Sequence, residues 1–169
     1  MMKRRSLLKL GVASAVVLAV AGGAVASIAP GLTGGKLSAA GRLVFTAVGR
    51  GMLDGTLPAD DGPKQIALNG LLDRVDALTL GLPPHAQEEL SQLLGLLASG
   101  LGRRALAGLS PDWTSATVPQ LQQALQGMRV ASLSLRQQAY HALHDITGSA
   151  YFADASVWRQ IGYPGPLKI

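Results

Sequence analysis

No cysteine occurs among the 169 residues of the chain. That excludes disulfides, thiolate zinc sites, iron–sulfur ligation and the C-x-x-C-H attachment of haem. In an oxidising compartment a small domain of this kind must be held together by burial or by a partner, since no covalent cross-link is available. Also missing is any run in which apolar and polar residues alternate with the period of two that marks a half-buried strand. Charge is sparse, at 15% of residues, although the formal net charge is +5. Much of that excess is local: Lys3, Arg4, Arg5 and Lys9 open the chain, and the remaining basic residues nearly balance the 10 acidic ones. A near-neutral body lacks the basic patch or stripe that nucleic-acid binding demands. Catalytic motifs are absent as well, with no G-x-S-x-G elbow, no P-loop and no G-x-G-x-x-G after a strand.

The N-terminus carries the clearest pattern. A basic head, Lys3-Arg4-Arg5-Ser6-Leu7-Leu8-Lys9, precedes a stretch rich in Ala, Val, Gly and Leu with no charged side chain before Lys36. That is the anatomy of an export signal. Arg4 and Arg5 followed by Leu7, Leu8 and Lys9 match the twin-arginine pattern, with Leu7 where Phe is common and Lys3 where Ser or Thr is common. The expected route is therefore export of a folded chain by the twin-arginine translocase to the periplasm. The apolar stretch is long enough to span a bilayer, which takes about 20 residues, but its glycines and alanines make it only mildly hydrophobic. Ala24 and Ala26 offer an A-x-A cleavage site before Ser27. Cleavage there, or retention of the signal as a membrane anchor, are the two outcomes. Gly22-Gly23 and Gly34-Gly35 read as punctuation around the signal.

The expected organisation is a signal over 1–26, a linker over 27–36, one all-α domain over 37–150 and an extended aromatic tail over 151–169. The domain is long enough for one core and too short for two. Helical spacing predicts a first helix over 37–52, with Leu37, Val44, Val48 and Met52 inward. A second is expected over 64–80, with Ile66, Leu68, Leu71, Leu72, Val75 and Leu78 as its stripe, Asp60 and Asp61 at its start and Gly81 at its end. Pro84 suits the first turn of a third, which carries Leu90, Leu93, Leu94 and Leu97 on one face and stops at Gly100. A short amphipathic piece spans 103–109. Thr117 with Gln120, and Ser134 with Gln137, read as capping boxes opening a fourth helix (Leu121, Leu125, Met128 inward) and a fifth over 135–147 (Leu135, Ala139, Leu143, Ile146 inward) that ends at Gly148. The whole is a small irregular helical bundle.

Candidate chemistry is thin. His141 and His144 lie three apart with Asp145 beside them, a spacing that can aim two imidazoles at a metal. No third ligand is suggested nearby, and ordinary half-buried histidines flanking Leu143 and Ile146 explain them better. His85 reads as a first-turn solvent residue. Asp60-Asp61 and Glu88-Glu89 fit helix-start electrostatics better than an acid/base pair, because adjacent side chains on a helix diverge. The chain reads as a non-enzyme, with no cofactor of its own. The tail gathers most of the aromatic residues, Tyr151, Phe152, Trp158 and Tyr163, and ends Gly162-Tyr163-Pro164-Gly165-Pro166. Aromatic residues dominate binding hot spots, so Trp113, Tyr151, Phe152, Trp158, Tyr163, Pro164 and Pro166 are the candidate partner contacts. Tyr151, Phe152 and Trp158 could equally fold back onto the domain's own core.

The segments LPPHAQEELSQLLGLLASGLGRRALAGL, then Trp113, then RQQAYHALHDITGSAYFADASVWRQIGYPGP carry a resemblance. The chain resembles the small twin-arginine-exported (gamma) subunits that accompany FAD-dependent dehydrogenases of the glucose-methanol-choline type, such as those of FAD-dependent glucose dehydrogenase and of gluconate 2-dehydrogenase. The likeness covers about 82–166 plus the signal. It implies an accessory subunit that binds a large flavoprotein in the cytoplasm, assists its maturation and carries it across the membrane. FAD would belong to that partner, and a cytochrome c subunit is an optional third member. Two other readings stay open: a free-standing exported or membrane-tethered helical binding protein, and a metalloenzyme built on His141, His144 and Asp145.

Overall fold

The computed structural model describes residues 28–165. Arg4, Arg5, Leu7, Leu8, Lys9, Ala24, Ala26 and Pro166 lie outside the described residues. The elements in chain order are a hairpin, β1 (Leu32–Thr33) and β2 (Lys36–Leu37), then the helices α1 (Ala39–Met52), α2 (Asp61–Leu80), α3 (Pro84–Ala98) and a single turn α4 (Gly100–Gly102). A π-helical turn (Arg103–Ala107), α5 (Val118–Arg129), α6 (Ser134–Phe152) and a 3₁₀ segment (Ala155–Ile161) complete it. The all-α expectation is met, apart from the two-stranded hairpin.

Helix α1 is the axis of the molecule, packing against α2, α3, α5 and α6. Its sequence explains this. Gly41, Val44, Phe45, Ala47, Val48, Gly49 and Gly51 are all buried, a broad apolar face that several neighbours share, while Arg42, Thr46 and Arg50 form the polar side. Small residues let the neighbours approach: a Cβ on Gly49 would meet Leu71 Cδ2 at 2.9 Å, and one on Gly51 would meet the Leu121 Cβ at 3.0 Å. Full burial of Phe45 stabilises the fold by about 1.5–3 kcal/mol. Ser38 caps the helix start, accepting the Gly41 N–H at 3.3 Å.

Around this axis the expected helices appear with shifted ends. Helix α2 begins at Asp61, before the predicted Lys64, and turns Leu68, Leu71, Leu72 and Val75 inward. Ile66 and Leu78 of the predicted stripe are exposed instead. Gly81 closes the helix in a right-handed conformation, not the left-handed one in which glycine usually ends a helix. Helix α3 starts at Pro84 as predicted and stops at Ala98. Ser99 interrupts it, donating to Leu96 O at 2.7 Å and accepting the Gly102 N–H at 3.0 Å. The piece over 103–109 is a π-helical turn closed by Gly108. The capping box at Thr117 forms, Gln120 Oε1 accepting the Thr117 N–H at 2.9 Å.

Three boundaries differ. The predicted box at Ser134 is absent, because Leu133 takes the N-cap position without a side-chain bond. Helix α6 runs through Gly148 to Phe152. A glycine inside a helix costs about 1 kcal/mol relative to alanine, and the burial of Ala150 and Tyr151 just beyond it outweighs that. The tail is therefore helical to Phe152 and 3₁₀ over Ala155–Ile161, and Tyr163–Gly165 lack regular structure. Finally, the linker expected over 27–36 is folded from Ile28. Gly34 and Gly35, at φ 58° and 77°, make the two-residue turn that joins β1 to β2, a pairing of positive φ values that favours glycine.

Candidate functional site

Among the described residues, two surface features stand out as able to receive another molecule. The first lies between α3 and α6, which both rest on α1. Arg136, at the start of α6, donates to Leu106 O at 2.7 Å, in the π-helical turn that follows α3 and α4. Between the two helices is a groove of about 240 Å³. Leu82, Leu90, Leu93, Leu135, Ala142 and Ile146 form its apolar wall, with Glu89 and Gln138 as its polar members. Small-molecule pockets occupy roughly 300–1,000 Å³. The groove is below that range and open, which suits a few inserted side chains of a protein better than an enclosed ligand.

The second feature is the aromatic edge at the end of α6. Trp158 Nε1–H donates to Phe152 O at 2.7 Å, and the Tyr163 N–H donates to Trp158 O at 3.0 Å. The Tyr163 ring meets Trp158 edge to face at 5.3 Å, and Tyr151 meets Phe152 in the same way at 5.3 Å. Phe152 and Tyr163 remain 45% and 44% exposed, so the edge presents two aromatic faces to solvent. Pro164 is exposed beside them.

Polar bonds hold this edge to the body. Arg74 on α2 donates through Nε to Ala150 O at 2.7 Å and pairs through Nη1 with Asp154 Oδ2 at 3.2 Å. Asp154 in turn accepts the Ser156 N–H at 2.9 Å and the Ser156 hydroxyl at 2.6 Å, capping the 3₁₀ segment. The Ser156 hydroxyl, the Ser156 N–H and, more weakly, the charge of Arg74 hold the Asp154 carboxyl below its ordinary value of 3.8.

The remaining sequence candidates separate. Trp113, expected at a partner interface, is 2% exposed. Its Nε1–H donates to Leu97 O at 2.8 Å, satisfying a carbonyl that the end of α3 leaves free. Tyr151 is likewise buried, its hydroxyl donating to Gln160 Oε1 at 3.0 Å. Both are core residues; Phe152, Trp158, Tyr163 and Pro164 form the surface group. An accessory subunit of the kind the sequence suggests is expected to present a groove or platform; the residues that line it are not named by the sequence.

His141 and His144 are exposed, and Tyr140 lies 5.5 Å from each ring. His144 Nδ1 is bound to Asp145 Oδ1 at 3.0 Å. Among the described residues no group of three or more His, Cys, Asp or Glu could hold a metal ion, and no helix there is long and apolar enough to cross a membrane. The class that fold and surface define is a mostly helical single-core domain with an apolar groove and an aromatic edge. Comparison with protein-family models, curated proteins and solved structures gives no match.

Proposed function

We propose that the chain is a non-catalytic small subunit that binds a large FAD-dependent dehydrogenase of the glucose-methanol-choline type and escorts it, folded, through the twin-arginine route to the periplasm. The observation that carries the reading is the open apolar groove between α3 and α6 on a body whose sequence begins with a twin-arginine pattern. The two fit together: a twin-arginine translocase moves folded cargo, and a flavoprotein must take up FAD before leaving the cytoplasm. A partner without a signal would then travel on this one. The aromatic edge of Phe152, Trp158 and Tyr163 supplies a second anchor of the residue types that dominate interfaces. The test is co-expression with a candidate flavoprotein. An Ala142→Arg chain, altered in the groove wall, should lose the flavoprotein on purification, and undiminished association would count against the groove.

A further inference from the structure

Both walls of the groove carry apolar residues at helical spacing. Ala86, Leu90 and Leu93 of α3, with Leu82 just before it, recur every three or four residues, and so do Leu135, Ala139, Ala142 and Ile146 of α6. Both helices pack on α1, yet among the described residues they scarcely pack on each other. The row from Leu135 to Ile146 extends over about 17 Å, roughly three helical turns. Helical walls spend their backbone N–H and C=O groups internally, so the groove offers no edge to which a strand could add. A segment entering it must satisfy its own backbone, as an α-helix does.

The rim is acidic. Glu89 lines the groove on α3 and has no ion-pair partner among the described residues. Asp145 stands seven residues after Gln138, a lining residue, and therefore on the same side of α6; its partner is His144 Nδ1 at 3.0 Å. Helix α3 has no lysine or arginine. Arg136, the one such residue of α6, is bound to Leu106 O. A second copy presenting the same face would set these carboxylates against each other with no cation between them. We propose that the groove seats one amphipathic α-helix of the partner, about three turns long, with an apolar stripe against the two walls and lysine or arginine flanking it toward Glu89 and Asp145. The inference deepens the escort reading and rests on it. On a folded flavoprotein such a stripe is an exposed apolar patch until the groove covers it.

The experiment measures binding of three fluorescent peptides of about 18 residues to the purified full-length chain by anisotropy, with circular dichroism of the mixtures. The first has leucines at helical spacing flanked by lysines, the second has the same residues in an order that destroys the stripe, and the third has glutamate for each lysine. The first should gain helix on binding and bind at least about tenfold more tightly than either of the others at low salt. Ala142→Arg should abolish its binding, and Glu89→Lys should reduce the preference for lysine over glutamate by about threefold or more. If Ala142→Arg does not fold, Glu89→Lys, a change at the rim, decides the matter. Equal binding of striped and scrambled peptides, binding without gain of helix, a lysine preference unchanged by Glu89→Lys, or no binding at all overturns the proposal. A dimer of the natural chain that Ala142→Arg dissolves gives the groove to a second copy and overturns it too. The escort reading fails separately, if the full chain reaches the periplasm without a flavoprotein while the striped peptide still binds.

Discussion

Trp113 shows why a single residue's type is a poor guide to its role. Large aromatic area and a polar N–H suit an interface and a core equally well, and only the position of Leu97 O decides between them. Trp113→Ala should cost about 3–5 kcal/mol in urea-induced unfolding, the range for removing a buried tryptophan. Trp113→Phe, which keeps most of the packing and leaves Leu97 O unbonded, should cost about 1–3 kcal/mol. Asp154 makes a prediction of a different kind. Its carboxyl is held below 3.8 in the folded chain, so its contribution is complete above that value and is lost as pH falls through the folded value. Acidification below about pH 3.8 should loosen the 3₁₀ segment first, seen as a change in Trp158 fluorescence in a Trp113→Phe background. Asp154→Asn should remove that pH dependence, and a transition that survives the substitution would assign it to another group.

At the scale of elements, what could be read from the sequence was what local chemistry decides. Helical spacing found α1, α2 and α3, Pro84 marked the start of α3, and Thr117 with Gln120 marked the start of α5. What could not be read was decided by contacts distant in the chain. Gly148 looked like a stop because glycine is a poor helix former, yet Ala150 and Tyr151 carry α6 past it by packing on the body. The hairpin was hidden in two residues per strand, too few to show alternation, and its hydrogen bonds go to Ser91 and Asp76. The position of the groove was hidden because it is a gap between two helices that each look ordinary alone. The aromatic edge was half legible: Tyr163 could be named as a surface contact, whereas the outward turn of Phe152 and the inward turn of Tyr151 follow from the register of a helix predicted to have ended. Asp76→Ala, which strands the Leu37 N–H, should lower stability by about 1–3 kcal/mol in thermal or urea unfolding. Arg42 with Asp73, at 3.8 Å and well exposed, should contribute almost nothing in the same assay.

For the whole molecule, the division of labour is between a core that is complete and a surface that is not. Trp113, Phe45, Leu97, Met128 and Leu143 are enclosed by the chain's own helices. The groove and the aromatic edge are left over. Ala142→Arg at the groove and Phe152→Ala at the edge should each change the melting temperature little while weakening the hold on a flavoprotein. A stable complex would bury roughly 1,200–2,000 Å² or more, well beyond what the groove supplies, so both features must be engaged together. Binding that selects the folded partner stabilises it by about 2.7 kcal/mol when the escort is present at 100 times its dissociation constant. The most direct measurement of the escort's central claim is the flavin content of what this chain brings to the periplasm. Cells expressing the full chain with a signal-less FAD-dependent dehydrogenase should yield a periplasmic complex carrying bound FAD, and the Arg4→Lys, Arg5→Lys chain should leave both proteins in the cytoplasm. Recovery of the chain from the periplasm alone, monomeric and free of flavin, with the dehydrogenase retained inside, would contradict the account.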